Sequence, residues 1–398
     1  MDLRTGMAFW PIRNGLLAAY PPLERTESCE VAVVGAGITG ALVAERLAGS
    51  GCDVVVIDRH DVGLGSTAAS TGLLQYETDT TLTELAAQVG VDRAVRSWRL
   101  GIEAIDELEV LAREVACEFA RRPSVYLASS RSDTRELRAE YELRARHGFD
   151  VAWLGRQEIA RALGITSHGA IRSQRDGEVD AHRLTHWLLA DASRRGTRVY
   201  DRTDVTSVDT DASGVTLHTN RGATVRARRL VVAAGYEVAR QLHRDRGHLH
   251  STWALVSEPL ADLSWWPDQC LIWETRRPYL YLRTTCDGRV MMGGEDEPWS
   301  SRHENLPLMR RKTERLLKRF SKWFPEVTIE VAYTWAGVFG TTPDGLPYIG
   351  TLPEHPHTMF ALGYGGNGIT FSAIAATLVR DWWTGRPNPD AAVFAFDR

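Results

Sequence analysis

Apolar residues form unbroken runs near the start of the chain and alternate with polar ones in its middle. Residues 30–35 (EVAVVG) and 53–58 (DVVVID) are short and rich in valine, the pattern of strands buried on both faces. Between them, 38–50 (ITGALVAERLAGS) carries small residues at helical spacing, and Gly51 stops it. The three pieces predict a strand–helix–strand unit. Residues 82–118 follow a 3.6-residue period and predict mostly helix, as do the charged Arg131–His147 and the amphipathic 182–195. A strand is expected over 197–208, and a strand pair over 213–219 and 223–233. From 250 to 300 the alternation in PYLYLRTT and GRVMMGG predicts an antiparallel sheet. A basic helix follows over 304–323. The chain closes on a strand (HTMFALGYG), a glycine-rich turn and a helix (ITFSAIAATLVRDWW). Residues 1–27 read as an irregular arm.

A length of 398 residues exceeds one hydrophobic core and predicts two domains. The element order predicts an α/β fold with an α+β second domain. A Rossmann-like nucleotide-binding domain would be assembled from 1–80, 176–245 and 335–398. An antiparallel-sheet substrate domain would be inserted as 81–175 and 246–334. A net charge of −4 gives no general attraction to nucleic acid or anionic membrane. Cys29, Cys52, Cys117, Cys270 and Cys286 are scattered and never form a CxxC pair, which points to a reducing compartment and no metal site. His182 and His186 stand i,i+4 in HRLTH, without the glutamate of a zinc protease motif. No signal peptide or membrane span is legible, so a cytoplasmic location is expected.

The candidate chemistry begins at VAVVGAGITG. Gly35, Gly37 and Gly40 follow a strand and open a helix, so a tight turn brings free backbone N–H groups to a pyrophosphate. Asp58 ends the second strand, where an acid accepts from ribose hydroxyls. This unit alone does not choose NAD from FAD. The next stretch, GLGSTAASTGLLQ, places Ser66, Thr67, Ser70 and Thr71 in a loop suited to a second phosphate, a ribityl chain and the edge of a flat ring.

Four segments resemble the FAD-dependent D-amino-acid oxidase (DAO) superfamily, which includes glycine oxidase, sarcosine oxidase and gamma-glutamylputrescine oxidase. They are VAVVGAGITG with Asp58, GLGSTAASTG, RRLVVAAG at 228–235, and TTPDGLPYIG…ALGYGGNGIT. The resemblance implies a Rossmann-like FAD-binding domain and oxidation of a C–N bond. Hydride would pass to flavin N5, the imine would hydrolyse, and electrons would go on to O2 or another acceptor. It carries the pyrophosphate contact to Gly35, Gly37, Ile38 and Thr39, and the ribose contact to Asp58 and Arg59. It assigns Ser66, Thr67, Ser70, Thr71, Gly72 and Leu74 to the flavin loop, Val205 to the adenine, and Ala234 and Gly235 to the diphosphate. Gly337 and the turn Gly365, Gly366, Asn367, Gly368 and Ile369 would approach the ring.

The chain also departs from its relatives. Gly337 and Ala69 stand where a cysteine or histidine would bond the ring, which implies non-covalent FAD. Phe339 and Gly366 stand where arginines clamp an amino-acid carboxylate, with Arg283 as a possible substitute. The only lysines, Lys312, Lys318 and Lys322, are expected on a solvated helix face. Glu77, Tyr281 and Tyr364 are the catalytic candidates, with Tyr76, Tyr279, Trp253, Trp273 and Trp335 as further walls for a cationic amine. Glu295-Asp296-Glu297 reads as a solvated turn or a pocket mouth. The expected function is oxidation of an amine or N-substituted amino compound. The alternatives are glycine- or D-amino-acid-oxidase-like deamination, a non-catalytic flavin-binding regulator, and an NAD-dependent dehydrogenase.

Overall fold

The computed structural model describes residues 4–236, 247–300 and 305–398. The expected segment boundary at 245/246 and the start of the expected helix at 304 lie outside the described residues.

Two sheets organise the chain. The first has eight strands. Its central path runs Tyr348–Leu352, His355–Leu362, Thr224–Val232, Glu27–Val34, Val54–Ile57 and Arg198–Tyr200. Glu27–Val34 is parallel to both its neighbours, with Val33 opposite Val56 on one side and Val231 on the other. Val54, Val55, Val56 and Ile57 are fully buried, as an unbroken apolar strand requires. The helix Ile38–Gly49 packs its small residues here. A β-carbon at Gly40 would fall 1.8 Å from the carbonyl oxygen of Gly35, so only glycine lets helix and turn approach this closely. The helix Gly368–Thr384 packs beside it.

The second sheet has ten strands and includes the alternating segments His248–Ser257, Leu271–Glu274, Leu280–Thr284 and Val290–Pro298. Val331–Thr341 pairs with His248–Ser257, and Arg4–Gly6 pairs with Val331–Thr341. Ala120–Leu127 and Ala170–Glu178 extend the sheet toward Leu73–Leu74. The helix Leu306–Trp323 covers one face with Met309, Leu316 and Phe320.

Three local expectations change. The helix expected over 82–118 is two, Leu82–Val89 and Val91–Ala112, broken at Gly90 with φ 87°. The strand expected over 197–208 is also two, Arg198–Tyr200 and Val205–Asp211, separated where Arg202 takes φ 47°. The arm is not wholly irregular. Besides Arg4–Gly6 it holds the helix Phe9–Asn14, whose Phe9 and Trp10 are buried. Among the described residues, no helix is long and apolar enough to cross a membrane.

Candidate functional site

A cavity of about 670 Å³ draws its walls from segments far apart in the chain. The glycine turn forms one end. Gly35, at φ 108°, donates its N–H to Ile57, and a β-carbon there would strike the carbonyl of Ala233 at 2.4 Å. Gly37 starts the helix with no side-chain cap, so the first helical N–H groups face the cavity for an anion. Ile38 instead donates to the Thr67 hydroxyl at 2.9 Å, which ties the turn to the hydroxyl loop. Asp58 Oδ2 accepts from Ala36 N at 2.6 Å and Oδ1 from His60 N at 2.8 Å. Burial pushes its carboxyl above the usual range despite these bonds. Arg59, Val205, Ala234 and Gly235 line the same region.

The loop after Asp58 folds as the short helix Ser66–Ala69 and the two-residue strand Leu73–Leu74. Ser66, Thr67, Ser70 and Thr71 line the cavity, and the buried Ser66 hydroxyl has no partner among the described residues. The N-terminal arm braces this loop. Arg4 donates to the Leu64 carbonyl at 2.8 Å, and the Trp10 indole N–H donates to the Ser70 carbonyl at 2.7 Å. Ala69 meets Gly337 across the cavity, where a β-carbon on Gly337 would lie 3.3 Å from that of Ala69. No cysteine is among the described lining residues.

The far wall belongs to the second sheet and the C-terminal turn. Gly365, Gly366, Asn367, Gly368 and Ile369 line it. The Asn367 amide is committed to the backbone, donating to the carbonyls of Gln75 (3.0 Å) and Glu77 (2.7 Å). Tyr281 lies over Gly293, where any β-carbon would collide with its hydroxyl at 2.2 Å. Tyr281 and Tyr364 both line the cavity, and burial raises both phenols. Tyr279 and Trp273 complete the aromatic wall.

Several expected residues take other roles. Glu77 lines the cavity, and its carboxylate is buried and engaged by the protein. Oε1 accepts from Ser173 at 2.5 Å and pairs with Arg144 at 3.3 Å. Arg144 also pairs with Glu140 at 2.8 Å. Burial and the charge of Glu77 push the Asp176 carboxyl well above the usual carboxylate range. Leu74 points into the core rather than the cavity, because alternation along the strand gives Leu73 the lining position. Gly72, at φ 72°, serves a close approach to the Val179 carbonyl and is not a lining residue. Tyr76 stacks on Phe149 in the core. Arg283 is no carboxylate clamp. It is buried and donates to the carbonyls of Thr71, Gly72, Val179 and Thr284. Trp335 is also buried and bonds the Ala69 carbonyl. Lys312 is not on a solvated face. It is buried, 4.4 Å from the Trp253 ring centroid, and donates to Glu295 O at 2.7 Å.

Other wall residues were not expected. Asp79 is the clearest, with Oδ1 accepting from the Tyr279 hydroxyl and Oδ2 from Gly366 N, both at 3.1 Å. Its signal was present two residues beyond Glu77 in YETD. Thr252 and Tyr236 had no local signal, because strand pairing alone brings them to the wall. His182 and His186 lie 4.6 Å apart as buried core rings, and burial lowers His182 to about 4. No metal-holding cluster occurs among the described residues.

Comparison with known proteins agrees with this geometry. The family model DAO, described as FAD dependent oxidoreductase, matches residues 30–382. The chain is 26% identical over 379 residues to glycine oxidase of Geobacillus kaustophilus, covering 89% of this chain and 93% of that protein. It is 27% identical over 379 residues to gamma-glutamylputrescine oxidoreductase of Escherichia coli, covering 92% and 85%. The crystal structure of the Geobacillus kaustophilus glycine oxidase matches with a TM-score of 0.80 at 23% identity, over 94% of this chain and 99% of that one.

Proposed function

The chain belongs to the FAD dependent oxidoreductase family, and from that premise we propose that it oxidises the C–N bond of an amine or N-substituted amino compound. It is an FAD-dependent oxidoreductase acting on amino compounds. The residues fit the cofactor. An uncapped helix start, an acid at the second strand's end and an unpartnered buried Ser66 hydroxyl lie along one cavity. Ala69 and Gly337 offer no nucleophile, which supports non-covalent attachment. This reading divides the chain into a cofactor part (1–80, 176–245, 335–398) and a substrate part (81–175, 246–334).

FAD, when bound, would supply the two-electron acceptor for the hydride of the carbon beside nitrogen. The protein provides position and charge. The starts of helices Ile38–Gly49 and Gly368–Thr384 present backbone N–H groups and positive dipole ends to negative charge. The Asn367 amide locks the turn Gly365–Ile369 against residues 75–77, so the cavity wall is rigid. Tyr279, Tyr281 and Trp273 exclude water from the side where an amine would lie. The reacting nitrogen must present its lone pair, so it binds uncharged. The imine product would hydrolyse in water, and the electrons would go on to O2 or another acceptor.

The observation that carries this reading is the continuity of the cavity, from the glycine turn and Asp58 to the aromatic wall. Phe339 and Gly366 both line it, which favours an amine over a free α-amino acid held by arginine. The test is anaerobic mixing of the yellow holoenzyme with a panel of amines, glycine and D-amino acids. Bleaching by amines supports the reading, and bleaching by amino acids alone favours the deaminase. Retained colour with every compound overturns both and leaves a flavin-binding regulator.

A further inference from the structure

Lysine occurs in this chain only at 312, 318 and 322, and all three line one pocket of about 480 Å³ that shares no lining residue with the cofactor cavity. The helix Leu306–Trp323 forms its first wall. Arg315, Lys318, Arg319 and Lys322 follow one another at spacings of three and four, so they share one helix face. The end of the strand Val290–Pro298 forms the second wall, with Glu295, Asp296 and Glu297. The acidic run expected as a solvated turn or a pocket mouth is thus part of a pocket wall. Arg276 and Pro278 close the third side.

Most charges in this pocket are already committed, and the remainder has one sign. Glu295 pairs with Arg319 at 3.0 Å and with Arg315 at 3.4 Å. It holds φ 59° at a register shift in the sheet, an unfavourable conformation for a residue with a side chain. The two guanidiniums are therefore fixed from below, and the cationic wall is preorganised. Glu297 pairs with the buried Lys312 at 2.5 Å. Arg319 also bonds Glu274 and the Pro278 carbonyl. Burial pushes the Asp296 carboxyl up to about 7, so near neutral pH it carries only part of a negative charge. Arg276, Lys318 and Lys322 are left over. They are exposed and pair with no carboxylate among the described residues. The negative end of the helix dipole accounts for Lys318 and Lys322, but not for Arg276, which reaches the same pocket from another element. Six cations thus meet three carboxyl groups here, in a chain whose net charge is −4.

We propose that this pocket binds a small polyanion, a ligand with two or more phosphate or carboxylate groups. Arg276, Lys318 and Lys322 meet its charges, and Glu295 holds Arg315 and Arg319 in place beside them. No aromatic side chain is among the described lining residues, so the site selects charge rather than a flat ring. The backbone joins it to the aromatic wall. Arg276 and Pro278 line the pocket, the next residue, Tyr279, lines the cavity, and the Tyr279 hydroxyl holds Asp79. A bound polyanion stiffens the segment that carries Tyr279, and so acts as an effector of the cavity rather than as its substrate. Binding here does not depend on what the cavity oxidises.

The test is calorimetric titration of the holoenzyme, whose filled cofactor cradle keeps the probes away from the glycine turn. At constant ionic strength, pyrophosphate or citrate should bind about tenfold tighter than inorganic phosphate or acetate. Tighter pyrophosphate assigns the site to phosphoryl ligands, and tighter citrate assigns it to polycarboxylates. The double variant K318Q/K322Q should lose about tenfold in affinity, with flavin content confirming the fold. The control R310Q/R311Q alters exposed cations of the same helix outside the pocket, and should leave affinity within about twofold of wild type. Amide hydrogen exchange over 275–281 should slow when the polyanion binds. No preference for polyanions, or equal losses in the two double variants, overturns the site and leaves a diffuse surface field. Tight binding with unchanged exchange over 275–281 overturns the link to the cavity.

Discussion

Glu77 and Asp79, two residues apart, are separated in role by their surroundings. Glu77 shares the buried Arg144 with Glu140, so Glu77→Gln takes one of two balancing carboxylates from a buried charge. We expect a loss of roughly 3 kcal/mol in holoenzyme stability, read as a lower midpoint in thermal or urea unfolding. Amine preference should shift less than twofold, and a tenfold rise in KM would restore Glu77 as a substrate ligand. Asp296 carries a pH signature. The groups whose charge or hydrogen bonding acts on it are Thr252, Asp79, Arg277 and Lys312, and it shares a pocket with Glu295, Glu297, Arg315 and Arg319. With its carboxyl pushed up to about 7, it is largely neutral below that pH and charged above it. This shift acts on folding. The folded state keeps a proton that the unfolded chain loses near pH 4, so stability falls between pH 4 and 7 and D296N removes that slope. Asp58 and the hydroxyls of 66–71 were legible because their chemistry is local. Leu74 was one residue off because the parity of a two-residue strand is set by its pairing with Ala170–Glu178, which no local pattern reveals.

At the scale of elements, the strand–glycine turn–helix unit could be read from sequence alone, since apolar runs and glycine spacing specify it without help from the rest of the chain. Gly40→Ala tests its tightest contact. The added methyl has no room beside the Gly35 carbonyl, so the variant should purify with little or no FAD, measured by the flavin-to-protein absorbance ratio. The strands Ala120–Leu127 and Ala170–Glu178 were not anticipated. Both interrupt their alternation with polar groups such as Asp176, which are stabilised only by partners distant in sequence. The helix Leu306–Trp323 teaches a related lesson. Met309, Lys312, Leu316 and Phe320 share its buried stripe, so helical period places Lys312 among apolar residues despite its charge. Lys312→Met should leave the rate of reoxidation by O2 within about twofold of wild type, because this ammonium is held by Glu295 and Glu297 and does not line the cavity. A stopped-flow rate that collapses in this variant would contradict that placement.

Across the whole molecule, the cavity joins turns that are hundreds of residues apart, so a bound dinucleotide would act as a cross-link between both sheets. Removing FAD should lower the melting temperature by several degrees and restoring it should reverse the loss, as mass action requires of a ligand that binds only the folded chain. A midpoint that ignores added FAD would count against the cofactor assignment. The two-sheet plan was legible because the periodicity changes between the runs that feed each sheet. The closing of the second sheet by Arg4–Gly6 was not, since three residues carry no period and gain their order from the strand they join. That small edge pairing bears on handling. Arg4 and Trp10 hold the backbone of the loop at Leu64 and Ser70, so a bulky affinity tag fused at the amino terminus, or an expression start placed beyond residue 15, would be expected to yield folded but colourless protein. A carboxy-terminal fusion would spare that brace.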